Sequence, residues 1–207
     1  LLKNTASDNT AVGCGALICN TTGANNIAIG SLSLDANTIG TCNIGIGIGS
    51  LGANTDGQLN IGIGFRAADG TTTGDRNTIV GHDAYRCNQT ASDNTAFGYQ
   101  AMHCNTSGHN NVAVGNALCK NISGLYNVAV GSGALSSNTT AHANVAIGRI
   151  ALTTNTTGSN NVAIGCCALK SNTTASSNTA LGHDTLKANT TGTSNAAVGS
   201  GSLDSNT

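Results

Sequence analysis

Asn161-Val162-Ala163-Ile164-Gly165-Cys166-Cys167-Ala168-Leu169 is the stretch on which the fold turns. Seventeen residues earlier the chain reads Asn144-Val145-Ala146-Ile147-Gly148, and seventeen later Asn178-Thr179-Ala180-Leu181-Gly182. Carried outward in both directions, Asn-x-small-aliphatic-Gly recurs with its glycine at 13, 30, 47, 64, 81, 98, 115, 131, 148, 165, 182 and 199. One interval, Gly115 to Gly131, is 16 residues and marks a single deletion just before Ala117. Self-similarity at a short fixed period is the signature of a solenoid, in which each repeat stacks on its neighbours.

Positions are counted here from that glycine. Position −1 is always apolar, from Val12 and Ile29 through Ile164 to Val198, and position −3 is Thr, Ile or Val in every coil except the last, which has Ala196. Residues two apart share one face of an extended strand, and β-branched side chains suit that conformation. These two columns are therefore expected to form the interior ladders. A second short segment follows the glycine and ends in an apolar column containing Leu17, Leu34, Leu152 and Leu169. Then comes a polar stretch such as Asn155-Thr156-Thr157-Gly158-Ser159-Asn160, rich in turn formers. Each coil thus reads as strand, glycine corner, strand and polar turn. The glycine is expected at positive φ or where a Cβ would clash. The asparagine at −4 is expected to stack amide on amide along the axis. The apolar spacing and the recurrent glycine exclude a helix. The fold class is all-β, a parallel β-solenoid (β-roll) of twelve 17-residue coils, with residues 1–207 forming a single repeat array.

Composition agrees with a thin core repeated many times. The 207 residues include no Pro and no Trp, only 2% aromatic and 8% charged residues, and a net charge of −1. Nucleic acid and anionic membranes call for clustered Lys and Arg, which are missing here. No apolar stretch approaches the roughly 20 residues of a membrane helix. Leu1 to Thr5 match the columns of Leu203 to Thr207, so the sequence reads as a segment continuing end to end in a longer fibre.

Position −2 holds Ala11, Ala28, Ala96, Ala113, Ala129, Ala146, Ala163, Ala180 and Ala197, with Gly45, Gly62 and Ile79 in the remaining coils. It lies opposite the expected interior ladders and is never polar. A strand apolar on both faces is usually covered on both, so this column is expected to be a self-association face between copies of the chain. The alternative is that alanine is merely tolerated on an exposed sheet.

The repeats resemble the head repeats of trimeric autotransporter adhesins, on motifs such as Asn161-Val162-Ala163-Ile164-Gly165, and related viral and phage tail-fibre-like repeats. The resemblance spans the whole chain, although this coil is a little longer than the usual adhesin head coil. It implies a left-handed β-roll assembled as a homotrimer. It also implies an extracellular structural fibre at a cell or virion surface, with adhesion among its roles. A second reading is the shaft of an adhesin or tail fibre whose receptor-binding tip lies elsewhere.

Asn-x-Ser/Thr occurs at Asn20, Asn88, Asn105, Asn121, Asn138, Asn155, Asn172 and Asn189, all in one column. Either these are glycosylation sites bearing a line of glycans, or turn chemistry has produced the pattern by accident. Of the eight cysteines, Cys87 and Cys104 share a column on adjacent coils, about 4.8 Å apart, within disulfide range. Cys14 and Cys19 could close a loop within one coil, while the adjacent Cys166 and Cys167 are expected to face opposite ways. Such cysteine usage suits an oxidising, extracellular setting. The cysteine spacing resembles no zinc site, and no cofactor is expected. His82 and His183 share a column, but no histidine has a carboxylate and a nucleophile at catalytic spacing. Clustered carboxylates of the kind a glycoside hydrolase needs are missing too, so no enzyme is expected. Adjacent threonines such as Thr156-Thr157 do not make the flat alternate array an ice-binding face would use.

Overall fold

The computed structural model describes residues 4–205, which contain twelve parallel three-residue strands and no helix. Leu1–Lys3 and Asn206–Thr207, which enter the match between the two ends, lie outside the described residues. The chain divides into two compact units, one through Ser107 and one from Gly108. In the first, β1 (Thr10–Val12), β2 (Ile27–Ile29), β3 (Ile44–Ile46), β4 (Ile61–Ile63), β5 (Thr78–Val80) and β6 (Thr95–Phe97) pair in parallel in chain order. In the second, β7 (Val112–Val114), β8 (Val128–Val130), β9 (Val145–Ile147), β10 (Val162–Ile164), β11 (Thr179–Leu181) and β12 (Ala196–Val198) do the same. Like stands upon like: Ala163 pairs with Ala146 on one side and Ala180 on the other.

Each coil contributes one strand where two were expected. The segment after the glycine is a run of turns in which alternate residues take the left-handed conformation, as at Ile150 (φ 51) and Leu152 (φ 51). A third left-handed residue precedes the asparagine of the motif, as at Asn160 (φ 59). Outside glycine this conformation costs about 1–2 kcal/mol per residue. Bonds between coils hold it in place. The Ile150 N–H donates to Ser132 O and the Leu152 N–H to Ala168 O, both at 2.9 Å, while the Leu152 side chain is fully buried. Local propensity alone would not select such a backbone.

The expectation for the motif glycine holds. Gly148 has φ +132, and a Cβ there would sit 2.6 Å from Gly165 O on the next coil.

The two faces of the strand are the reverse of the expectation. Ala28, Ala96, Ala113, Ala129, Ala146, Ala163 and Ala180 are completely enclosed, and Ala197 is 3% exposed. Ala11, on the first strand, is half-buried. The flanking columns face outward: Val114 is 39% and Ile147 38% exposed, and the residues at −3 are half-buried except Thr10 on β1 and Ala196 on β12, which are exposed. Alanine cannot therefore be the self-association face, because its own chain already covers it.

The physical reason is the narrowness of the coil. A Cβ at Gly45 would meet Ser33 Oγ at 2.6 Å and Leu34 Cγ at 3.2 Å, and one at Gly62 would meet Ser50 Oγ at 2.7 Å and Leu51 Cγ at 3.0 Å. Where the preceding coil has serine in place of its usual alanine, the inward column shrinks to glycine. The serine then donates to that glycine's carbonyl, Ser33 to Gly45 at 2.9 Å and Ser50 to Gly62 at 2.7 Å. The opposite exchange occurs one coil on. Ala68 stands where Leu51 and Leu34 stand, and in the register of Gly62 over Leu51 the residue above it is Ile79. Both are fully buried, so the larger side chain fills the space the smaller one leaves. Interiors packed at crystal density demand this kind of compensation.

Candidate functional site

Two asparagine columns line the coils and carry much of their polar bonding. At position −4, Asn26 Oδ1 accepts from the Asn43 backbone N–H at 2.9 Å, and Asn26 Nδ2 donates to Gly40 O at 2.8 Å. This differs from the expected amide-on-amide stack, which forms in that column only at particular steps such as Asn77 to Asn60 and Asn144 to Asn127.

The regular amide ladder lies in the other column, the one holding the glycosylation motifs. Asn37 Nδ2 donates to Asn20 Oδ1 at 2.7 Å, Asn138 to Asn121 at 2.7 Å, Asn172 to Asn155 at 3.0 Å and Asn189 to Asn172 at 3.0 Å. Asn20, Asn88, Asn105, Asn121, Asn138, Asn155, Asn172 and Asn189 are all 0% exposed. A glycan needs the very nitrogen that this ladder uses, and an outlet to solvent that the packing does not leave. Glycosylation at these eight positions, and with it glycans as partners, is incompatible with this burial and bonding. The sequence did contain the necessary signal, since Asn37 and Asn54 share the column without being part of an Asn-x-Ser/Thr motif. The ladder also explains an orphaned atom. Thr71 interrupts the column, and Asn54 Oδ1 beneath it is buried without a hydrogen-bond partner.

Among the described residues no disulfide joins the eight cysteines, including the Cys87–Cys104 and Cys14–Cys19 pairs. Cys166 and Cys167 converge where divergence was expected, their sulfurs 3.3 Å apart. Stacking also brings Cys167 to Asp184, whose carboxylate lies 3.5 Å from His183 Nδ1. Burial pushes the Cys167 thiol up, reinforced by Cys166 and Asp184. That is the reverse of the lowering that activates a nucleophile.

Elsewhere on the first unit, His82 stacks on Phe65 with centroids 5.0 Å apart and leans on Tyr99 at 5.6 Å. Close by, Asp35 and Asp69 flank the side-chain-free position of Gly52 in a shallow notch with Leu32, Ile48 and Arg66. Burial raises the Asp35 carboxyl, opposed by backbone N–H donors and aided by Asp69. A more compact cluster forms from Cys87, His103 and Cys104, whose donor atoms all lie within 4.8 Å of one another. The spacing of the cysteines along the chain resembles no zinc site. Stacking assembles this group from two coils, so its members are close in space and far apart along the chain.

No described helix is long and apolar enough to cross a membrane. The fold is a parallel β-solenoid with about 17 residues per coil, compatible with a structural repeat protein. Comparison of the sequence with protein-family models, with curated proteins and with solved structures returns no match.

Proposed function

We propose that this chain is a structural fibre segment that works by lateral packing against copies of itself through the outward columns of its strands. The observation that carries this reading is the composition of the outer face. Positions −3 and −1 hold only Thr, Ile, Val, Ala, Leu and Phe from Thr10 to Val198, without a single charge. Isolated apolar residues on a surface need no explanation, whereas contiguous stripes mark interaction sites.

Magnitude then argues for an array. Six strands at about 4.8 Å spacing, with a contact strip about 10 Å wide, give each unit roughly 300 Å² of flat, uncharged face. A stable pairing buries about 800 Å² per partner. One unit alone is too small, so association has to gather strength from many rungs at once, as in a fibre. The resemblance to adhesin heads supports a homotrimer and an extracellular setting, and both belong to this proposal.

Sedimentation of the purified chain with Ile147→Lys and Ile164→Lys tests it. Both positions are exposed, so the fold and its melting temperature are expected to persist while lateral assembly is lost. A wild-type chain that stays monomeric at high concentration, or a doubly charged variant that assembles as well as wild type, would overturn the reading.

A further inference from the structure

We propose that Cys87, His103 and Cys104 form a binding site for Zn²⁺, with two thiolates and one imidazole as ligands. The site lies within the first unit and does not depend on the self-association reading. Three independent contributions place the donors. Cys87 and Cys104 occupy the same column on successive coils, so stacking sets their separation. The Cys87 N–H donates to the His103 carbonyl at 3.0 Å, which fastens those two coils at the site itself. His103 Nδ1 then lies 3.4 Å from Cys104 Sγ.

Zinc bonds of about 2.3 Å to sulfur and 2.0–2.1 Å to nitrogen place tetrahedral donors roughly 3.5–3.8 Å apart. All three donor atoms lie within 4.8 Å of one another, and the His103–Cys104 separation of 3.4 Å is already close to that spacing. Cys87 is exposed, and His103 and Cys104 are partly buried. The group thus opens on the solvent side, where water completes the fourth position. The charges balance: one Zn²⁺ displaces two thiol protons, and the thiolates with a neutral imidazole leave an uncharged centre. Thiolate with imidazole is the donor set that zinc favours, and calcium or magnesium would call for oxygen. A Cys87–Cys104 disulfide would consume the same sulfurs and requires an oxidant, so the two fates are mutually exclusive.

The repeat supplies substitutions that should not disturb the fold. The column of Cys87 and Cys104 holds Ser137 and Ser171 in other coils, and the column of His103 holds Ser136. Cys87→Ser, Cys104→Ser and His103→Ser therefore place residues that the coil already accepts. The reduced full chain, loaded with zinc and desalted, is expected to retain one zinc per chain. Cobalt(II) in its place is expected to show thiolate-to-metal charge transfer and the strong visible bands of tetrahedral coordination. Loss of an outer-shell partner alone costs about 10–100-fold in metal affinity, so removing either thiolate should cost at least a hundredfold and abolish the charge-transfer band. Cys166→Ser/Cys167→Ser should retain both. The proposal is overturned if no zinc is retained, if the cobalt spectrum is octahedral, or if zinc and spectrum survive Cys87→Ser and Cys104→Ser.

Discussion

Ile79 and Ala68 offer the sharpest test of which strand face is the interior. Ile79→Ala removes three carbons from a side chain that is 0% exposed. Buried substitutions of this kind cost about 2–5 kcal/mol, depending on how far the site can collapse. A coil held by bonds to both neighbours has little freedom to collapse, so about 3 kcal/mol is expected. Ala68→Leu alone drives a leucine into space that Ile79 already fills, and overpacking costs about 1–3 kcal/mol. Together, the two changes recreate the alanine-over-leucine arrangement of the neighbouring coils, and the double variant should lie within about 1 kcal/mol of wild type. The coupling is then at least about 3 kcal/mol, at or beyond the upper end for contacting residues. Guanidinium unfolding of the four proteins, with unchanged slopes, measures it. If Ile79 faced solvent, its truncation would fall within about 0.5 kcal/mol of wild type and the two changes would simply add. Either result would refute the inward assignment of this column.

Four further outcomes follow from the same geometry. In protein made without glycosylation, Asn172→Ala should lose about 2–4 kcal/mol, since it removes two inter-coil amide bonds and leaves the buried Asn155 Oδ1 unpaired. Thr174→Val destroys the same Asn-x-Thr motif at an exposed residue, and equal damage from both in thermal melts would show that the ladder is not the cause. Thr71→Asn should raise the melting temperature, because the new amide can donate to Asn54 Oδ1; a gain of about 1–2 kcal/mol is expected, and no gain would count against a continuous ladder. Gly148→Ala should unfold the second unit at markedly lower denaturant, given φ +132 and the 2.6 Å approach of its Cβ to Gly165 O; wild-type stability would mean that the corner relaxes easily. Tyr85 gives an alkaline signature. Burial pushes its phenol well above the ordinary range, against the donors Asn105 and Asn94. The folded chain therefore keeps a proton that the unfolded chain releases above about pH 10. Stability from this group is complete below that pH and is lost as pH climbs through the folded value. Tyr85→Leu should flatten the decline in a pH series of melts, and an unchanged slope would contradict the burial.

Much of this was written in the sequence. Twelve glycines at near-constant spacing determine that the chain coils, and stacking like on like follows because identical repeats can bury their apolar columns only against one another. The motif glycine, its positive φ and the all-β class were legible for the same reason. The inward face was not read correctly, because hydrophobicity alone favours Val and Ile for the interior. The decisive clues were compensations between coils: Gly45 following Ser33, Gly62 following Ser50, and Ile79 following Ala68. These become visible only once the sequence is read seventeen residues at a time as facing layers. The asparagines of the Asn-x-Thr motifs were misread on local grounds, since a turn former suggests exposure until its amide finds a partner one coil away.

What the tertiary structure alone decided is the width of the coil and everything that depends on it. Left-handed corners at Ile150 and Leu152, held by bonds to the neighbouring coils, bring the turn segment against the strand so that only a small side chain fits opposite a leucine. The larger β-branched side chains are thereby turned outward. Periodicity specifies which residues stack but carries no information about the distance across a coil, and that distance determines which side of the strand is inside.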